Sequence, residues 1–286
     1  MDESTFTFTT ADGIALHCYL WAPDGPPRAA VQIQHGLAEH AGRYRRFARA
    51  LTDAGYLVYA PDARGSGVSA AGKYGAWGEL GWAGWVDDIA RLNARIHTDN
   101  PGLAIGLIGH SMGSFATQQY LLKHSADVTA VVLSGTSDPA GIAALLDVDE
   151  AADLSTFNEP FEHRTGFEWL SRDQAEVDAY VADEACGWSA PPPRGIGALA
   201  AAADPTLLSR IRSNLPILLV SGDADPIANS GLAVEVVAGR YSDAGLADIE
   251  VHLYPQARHE LLNETNRDEV TGDILAFLGS RLPSLP

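Results

Sequence analysis

The sequence has few cysteines and no long apolar run, and each shortage excludes a class of protein. Its two cysteines, Cys18 and Cys186, are too few for a disulfide framework or a structural zinc site, so we expect both to be reduced and inert. No apolar run approaches the roughly 18 residues that a membrane helix needs, and the start lacks the basic and apolar regions of a secretory signal. We therefore expect a soluble cytoplasmic protein without an integral membrane segment.

Positive charge is also scarce in the sequence. The 286 residues include 37 acids against 19 bases, which gives a formal net charge of −18. Such a chain repels the phosphates of nucleic acids and of anionic membrane surfaces, so we expect no nucleic-acid partner. The densest basic group has helical spacing, and we interpret it as the solvated face of a helix. It consists of Arg43, Arg45, Arg46 and Arg49.

Apolar runs that alternate with helical patterns predict the fold class. An Asp-Gly pair at residues 12–13 supplies the positive φ of a tight turn, so residues 6–21 are predicted to form a β-hairpin. Buried strands are predicted at residues 29–34, 56–60, 103–108, 128–133, 215–220 and 249–254. Helical patterns lie between several of them, for example at residues 43–54 and 85–96. The expected fold is α/β, with a mostly parallel central sheet flanked by helices and the hairpin at its edge.

One connection between predicted strands is much longer than the others. About 80 residues separate the run that ends near Leu133 from the run that starts near Leu215, against the 10–15 of an ordinary crossover helix. Residues 138–194 within it carry thirteen acids and three bases. This shift in composition predicts an inserted helical cap at residues 136–205, between a first core part at 1–135 and a second at 206–286.

Ser111 stands in the sequence Gly-His-Ser-Met-Gly, at residues 109–113. A predicted strand precedes these residues and a predicted helix, residues 115–122, follows them. A nucleophilic serine needs such a tight strand-to-helix turn to project its hydroxyl, and the flanking glycines allow the strained backbone to approach its neighbours. Ser111 is therefore the candidate nucleophile.

A serine nucleophile requires a base, and the base requires an orienting acid. His259 follows the last predicted strand, and Asp225 follows the strand predicted at residues 215–220. In a parallel sheet both would lie at the carboxyl edge that carries Ser111. Asp223 is too close to the strand end, and Glu260 is adjacent to the base. Asp225 is the predicted acid, with Asp138, after the preceding strand, as the alternative.

The tetrahedral intermediate of acyl transfer needs two donors aimed at its oxyanion. The backbone N–H that follows the nucleophile belongs to Met112, and a second donor is predicted at Leu37, in the loop after an earlier strand. A zinc site is not expected, because the spacing of His35, Glu39 and His40 is one residue too long for the inverted zinc-protease motif. No phosphate-binding loop is present, and acyl transfer to water needs no cofactor.

Five motifs carry a resemblance to a known family. They are His-Gly-Leu-Ala-Glu-His-Ala-Gly-Arg-Tyr at 35–44, Asp-Ala-Arg-Gly-Ser-Gly-Val-Ser at 62–69, Gly-His-Ser-Met-Gly at 109–113, Gly-Asp-Ala-Asp at 222–225 and His-Glu-Leu-Leu-Asn-Glu at 259–264. Together and in this order they resemble the monoacylglycerol lipase and lysophospholipase branch of the α/β-hydrolases, to which serine aminopeptidase-like proteins also belong. The resemblance covers nearly the whole chain and implies an α/β-hydrolase fold with a helical cap after the sixth strand.

The resemblance also implies roles for individual residues. It makes Ser111 the nucleophile and Asp225 and His259 its partners. It makes Leu37 and Met112 the oxyanion donors. The sequence departs from the family pattern where a glycine of the oxyanion loop is replaced by Ala38, which predicts a slightly altered loop.

The expected function is hydrolysis of a small or medium acyl ester, such as a monoacylglycerol, through an acyl-enzyme intermediate. An aminopeptidase or amidase with the same triad is the alternative, because carboxylates of the acidic cap could receive a substrate amine. A non-catalytic ligand-binding protein on the same fold is a third possibility. Five residues are candidates for substrate contact: His35, His110, Phe157, Phe161 and Trp169.

Overall fold

An eight-stranded sheet forms the centre of the computed structural model, which describes residues 1–146, 150–151 and 153–283. The strands are β1 (Asp2–Thr9), β2 (Ala15–Ala22), β3 (Ala29–Gln34), β4 (Tyr56–Pro61), β5 (Ile105–His110), β6 (Ala130–Ser134), β7 (Ile217–Gly222) and β8 (Ile249–Tyr254). Their order is β1-β2-β4-β3-β5-β6-β7-β8. The pairs β1–β2 and β2–β4 are antiparallel, and all other neighbours are parallel. The predicted edge hairpin and mostly parallel sheet are therefore confirmed.

Helices cover both faces of this sheet. The α-helices among the described residues are α1 (Arg45–Asp53), α2 (Gly81–Asp99), α3 (Met112–His124), α4 (Pro139–Leu146), α5 (Gln174–Ala182), α6 (Pro205–Leu208), α7 (Leu232–Asp243) and α8 (Arg267–Arg281). Alternate strand residues face opposite layers. Leu107 packs into the core on the side of α2, α3 and α7, and Ile108 packs into the core on the side of α1 and α8. No helix among the described residues combines the length and the apolarity needed to cross a membrane.

Three central strands are displaced along the chain from the apolar runs that predicted them. β5 and β7 begin two residues later than predicted and end two residues later, and β6 begins two residues later and ends one residue later. The apolar run starts early because Leu103 and Leu215 are buried before the ladder begins. The strands extend further because polar residues such as His110 and Ser134 continue the ladder at the carboxyl edge. Hydrophobicity alone does not detect that polar end, and the end carries the candidate site.

The connection between β6 and β7, residues 135–216, is called the insertion below. Its described residues form α4, α5, α6 and three 3₁₀ helices, Leu154–Asn158, Glu168–Leu170 and Ile196–Ala203. The predicted boundaries at 136 and 205 stay a prediction. Among the acids counted above, Asp147 and Asp149 lie outside the described residues.

Several acids of the insertion form ion pairs with bases of the rest of the chain. Asp173 pairs with Arg267 at 2.8 Å and Glu176 pairs with Arg46 at 2.6 Å. Two further ion pairs join Asp138 to Arg240 and Glu162 to Arg258, and Asp183 accepts a hydrogen bond from His40. Part of the acidity that marked the insertion in the sequence is therefore complementary to the surface on which the insertion packs.

Candidate active site

Ser111 lies at the turn between β5 and α3, with φ 50° and ψ −121°. This left-handed backbone is costly for a residue with a side chain, and such strain is characteristic of functional turns. The turn is held by its neighbours: the N–H of Ser111 donates to the carbonyl of Ser134 at 2.9 Å, and its carbonyl accepts the N–H groups of Ser114 and Phe115. Ser111 is partly exposed and lines a cavity at the carboxyl edge of the sheet.

The two glycines that flank this turn are required by close packing. A Cβ atom at Gly109 would lie 2.6 Å from the carbonyl oxygen of Gly113 and from the hydroxyl of Thr117. A Cβ atom at Gly113 would overlap the carbonyl oxygens of Gln34 and His35 at the end of β3. The predicted reason for these glycines is thus confirmed, because the turn packs directly against the neighbouring strand.

His259 and Asp225 form a buried hydrogen-bonded pair. The Nδ1–H of His259 donates to Asp225 Oδ2 at 2.8 Å, and Asp225 Oδ1 accepts the N–H of Ile227 at 2.9 Å. This bond places the proton on Nδ1 and leaves a lone pair on Nε2, which makes no hydrogen bond with the described residues. Burial opposes protonation of the ring, but the charge and hydrogen bond of Asp225 outweigh it and raise the pKa of His259. His259 lines the same cavity as Ser111.

The other candidate acids are engaged elsewhere. Asp223 is exposed and accepts the N–H of Gln256 at 2.5 Å, and Asp138 pairs with Arg240. Glu260 forms a bidentate pair with Arg43, at 2.5 and 2.7 Å. The geometry therefore favours Asp225 over the alternative, Asp138.

The two predicted oxyanion donors line the same cavity as Ser111 and His259. The N–H of Met112 begins α3, and the N–H of Leu37 belongs to the loop after β3. Neither N–H has a hydrogen-bond acceptor in the part of the chain that the structure describes. Gly36 allows this loop to approach Ser111, because a Cβ atom there would lie 3.0 Å from the Cβ of Ser111.

A buried ionic network anchors the loop after β3 that carries Leu37, which is called the oxyanion loop. Glu39 accepts the N–H of Gly36 at 2.6 Å, the hydroxyl of Tyr44 at 3.0 Å and the guanidinium of Arg43 at 2.9 Å. Burial alone would raise the pKa of Glu39, but Arg43 and the nearby histidines lower it to about 2. Arg43 also binds Glu260, next to the candidate base. The network therefore connects the oxyanion loop to the segment that carries His259.

The interpretation of Arg43 as part of a solvated face was wrong. Its side chain is only 11% exposed, whereas that of Arg45 is 53% exposed. Arg43 belongs to a 3₁₀ helix, Ala41–Tyr44, that precedes α1. The α-helical spacing on which the interpretation relied therefore does not apply to the Arg43 side chain. Glu39, Arg43 and Glu260 are functional candidates that our reasoning from the sequence missed. The motif at residues 35–44, which contains two of them, was the available signal.

The two histidines proposed for substrate contact have different surroundings. His35 is buried outside the cavity lining: its Nδ1–H donates to the carbonyl of Gly36 at 2.7 Å, and its Nε2 accepts the N–H of Ala63 at 2.9 Å. Both ring nitrogens are thus used internally, and a structural role replaces the predicted contact. His110 does line the cavity, with its ring centroid 4.8 Å from that of His259. Burial and the neighbouring His259 lower the pKa of His110 to about 4.

The aromatic candidates of the insertion also separate into two groups. Trp169 and Phe157 line the cavity, and the Trp169 ring lies 4.9 Å from that of His259. Phe161 does not line it; Arg258 lies over its ring at 4.5 Å instead, so the predicted substrate contact of Phe161 is not supported. Most other lining residues are apolar: Phe115, Ile142, Leu145, Leu146, Leu154, Leu170 and Ile227.

One cluster has the composition of a metal site. His40, Asp183 and Cys186 bring their ligand atoms within 4.8 Å of one another. However, His40 Nδ1 accepts the N–H of Gly42, so the proton lies on Nε2, which donates to Asp183 at 2.9 Å. A ligating histidine needs a free lone pair and donates its other N–H. Burial also raises the pKa of the Cys186 thiol. These residues therefore form a contact between the insertion and the oxyanion loop.

Comparison with known proteins gives matches over nearly the whole chain. Residues 25–266 match the family described as serine aminopeptidase, S33. The chain is 32% identical to a monoacylglycerol lipase of Mycolicibacterium smegmatis over 98% of both chains. It is 31% identical to a monoglyceride lipase of Mus musculus over 94% of this chain and 87% of the relative. A solved carboxyl esterase from Bacillus coagulans, in complex with glycerol, superposes with a TM-score of 0.88 at 26% identity, over 98% of this chain and 99% of that one.

Proposed function

The chain belongs to the serine aminopeptidase S33 family of α/β-hydrolases, and on that premise we propose that it hydrolyses carboxylic esters through an acyl-enzyme intermediate. The observation that carries the proposal is one cavity lined by Ser111, by the Asp225-bound His259, and by Leu37 and Met112, whose N–H groups have no acceptor among the described residues. A nucleophile, its oriented base and an oxyanion site are the parts that acyl transfer requires.

In the proposed reaction, Ser111 Oγ attacks the ester carbonyl carbon while His259 Nε2 accepts the hydroxyl proton. The carbonyl oxygen becomes an oxyanion, which the N–H groups of Leu37 and Met112 stabilise. Collapse of this intermediate breaks the bond to the alcohol, which leaves with the proton from His259. Water then attacks the acyl-enzyme with His259 again as base, and releases the acid and free Ser111. Asp225 keeps the ring oriented and stabilises its protonated form.

The lining of the cavity supports a neutral acyl chain as the substrate. Its side chains are mostly apolar, and an anionic head group would approach a chain with net charge −18. We propose short-to-medium acyl esters, a monoacylglycerol among them, as substrates. Anionic lysophospholipids are expected to be poorer because of repulsion, and triacylglycerols are expected to be poor because of their bulk. The names of the related monoacylglycerol lipases point the same way.

Aminopeptidase activity receives less support from this site. A substrate amine would need an unpaired carboxylate, but Glu39 and Glu260, which line the cavity, are both bound to Arg43. Several acids of the insertion are paired with bases as well. Ester hydrolysis is therefore the function that we propose. The two cysteines are free and buried, which suits the reducing cytoplasm that we propose as its location.

The test is kcat/KM across four substrate classes: p-nitrophenyl esters of graded chain length, a monoacylglycerol, a lysophosphatidic acid and an aminoacyl arylamide. We expect the neutral esters to be hydrolysed best, with no rate above background in Ser111→Ala. A preference for the arylamide would replace the proposal by aminopeptidase activity. A preference for the lysophosphatidic acid would refute the argument from charge.

A further inference from the structure

Ala38 has a backbone conformation that its side chain disfavours. Its φ is +53°, and the residue is completely buried between Leu37 and Glu39. Glycine adopts this left-handed region freely, whereas a residue with a Cβ atom needs its surroundings to hold it there. Contacts around Ala38 must therefore maintain the conformation of the oxyanion loop.

Two donors from the insertion bind the carbonyl oxygen of Ala38. The hydroxyl of Tyr180 donates to it at 2.8 Å, and the N–H of Gly187 donates at 2.9 Å. Tyr180 is itself fixed, because it is buried in α5 and the guanidinium of Arg43 lies 4.8 Å from the centre of its ring. Burial raises the pKa of Tyr180 well above its ordinary range, so its hydroxyl stays a donor.

The other side of the same loop is anchored by the core. Glu39 binds the N–H of Gly36 at 2.6 Å and is held by Arg43. The peptide that carries the Leu37 N–H is also held at its own carbonyl, because the Gly36 oxygen accepts the Nδ1–H of His35 at 2.7 Å. The anchor at the Ala38 carbonyl fixes the residue that follows this peptide. Release of that anchor would leave the contacts of Gly36 in place and would shift the Leu37 N–H only partly from the position of the oxyanion, so we expect a modest effect.

We propose that Tyr180 is a positioning residue for the reaction, because its hydroxyl holds Ala38 in the left-handed conformation that directs the Leu37 N–H toward the oxyanion. This inference rests on the proposed ester hydrolysis. It assigns to the insertion a part in transition-state stabilisation in addition to covering the cavity.

The experiment is a double-mutant cycle of Tyr180→Phe and Ala38→Gly, assayed with a p-nitrophenyl ester. Tyr180→Phe keeps the ring that lines the cavity and removes only the donor. We expect kcat to fall roughly fivefold, the size of one buried hydrogen bond, with KM within about twofold. In the Ala38→Gly background the same substitution is expected to change kcat less than about twofold, because glycine reaches this φ without the steric penalty that the Tyr180 hydrogen bond offsets in Ala38. Tyr241→Phe, which removes a buried hydroxyl without a described partner, is the matched control and should leave kcat unchanged.

An equal loss of kcat in both backgrounds, or a change in KM alone, would overturn the proposal. Thermal unfolding of the four proteins provides a readout that does not depend on activity. If the Tyr180 hydrogen bond holds Ala38 in its left-handed conformation, here called the latch, Tyr180→Phe must lower Tm more with Ala38 than with glycine at that position. An equal decrease would refute it. Absence of ester hydrolysis by the wild type would refute the proposed function, and the Tm cycle would then still decide whether the latch exists.

Discussion

The turn that carries Ser111 and the loop that carries Leu37 each hold a non-glycine residue at a positive φ, but the contacts that hold it differ. Each contains a buried or partly buried non-glycine residue with φ near +50°, Ser111 in one and Ala38 in the other. Ser111 is held by core strands, through the carbonyl of Ser134 and the close packing of Gly113. Ala38 is held by donors from the insertion, Tyr180 among them.

This difference indicates how the site divides between the two parts of the chain. The proposed nucleophile, Ser111, and one proposed oxyanion donor, Met112, lie on a turn that contacts of the core hold in place. The second donor, Leu37, depends on the insertion as well. Substitutions in the core should therefore abolish the reaction, whereas substitutions in the insertion should reduce it.

The largest effect is expected from the core turn itself. Ser111→Ala should lower kcat by about 10⁶, the loss seen when a triad nucleophile is removed, with little change in the free energy of unfolding. Ser111→Gly should be equally inactive, but its free energy of unfolding should exceed that of Ser111→Ala by about 1 kcal/mol, because glycine adopts this backbone without strain. Kinetics and chemical denaturation of both variants measure these effects. A Ser111→Ala variant with more than a few per cent of wild-type turnover would refute Ser111 as nucleophile.

The next largest effect is expected at the acid. Asp225→Asn should lower kcat by about 10⁴, because an amide no longer favours the required tautomer of His259. Asp223→Asn is the matched control, since Asp223 is exposed and the one hydrogen bond of its carboxylate among the described residues is to the N–H of Gln256. It should keep nearly full activity. Equal losses in the two variants, or a collapse confined to Asp138→Asn, would mean that the acid is misassigned.

A third prediction concerns the anchor that both regions share. Arg43→Met would leave Glu39 and Glu260 buried without their counter-charge, so the free energy of unfolding should fall by about 3–5 kcal/mol. Arg45→Met removes a half-exposed pair with Glu3, and should cost less than about 1 kcal/mol. Urea denaturation measures both values. Equal stabilities of the two variants would show that the buried network does not hold the loop.

The smallest effect is a shift in the pH profile of kcat/KM. Activity should rise with pH through an apparent pKa above the ordinary imidazole value of about 6.5, because Asp225 raises the pKa of His259 and only the neutral ring accepts a proton. The stabilisation from the charged pair has the opposite dependence: it is fully present below the unfolded pKa of about 6.5 and is lost as pH rises through the folded pKa. The residual activity of Asp225→Asn should titrate at lower pH, because without the Asp225 charge the burial of His259 lowers the pKa of its ring. An unchanged midpoint in that variant would exclude His259 as the titrating group.

Much of the architecture could be predicted from the sequence, because strands buried on both faces produce apolar runs. Residues 29–34 and 249–254 were predicted with the bounds that the structure shows. We predicted that Ser111, Asp225 and His259 lie together because the carboxyl ends of parallel strands meet at one edge of the sheet. The structure brings Asp225 and His259 into contact at that edge.

Other features depend on contacts between distant segments, which periodicity does not record. The direction of Arg43 is set by Glu260, more than two hundred residues away. The carbonyl of Ala38 is bound by Tyr180. The presence of alanine at a position where the family has glycine did not indicate which distant residue stabilises the positive φ. Within the insertion, short 3₁₀ helices such as Glu168–Leu170 are too brief for a helical pattern.

Acids of the insertion pair with bases of the core, so we expect the reaction rate to depend on ionic strength. Pairs such as Glu176–Arg46 are partly exposed, so dissolved salt screens them over a distance of about 8–10 Å. Added salt would therefore loosen the insertion and, through Tyr180, the oxyanion loop, even for an uncharged substrate. A salt-dependent rate in this enzyme would then report on how the insertion is docked, and only the difference between charged and neutral substrates would report on attraction or repulsion of the ligand.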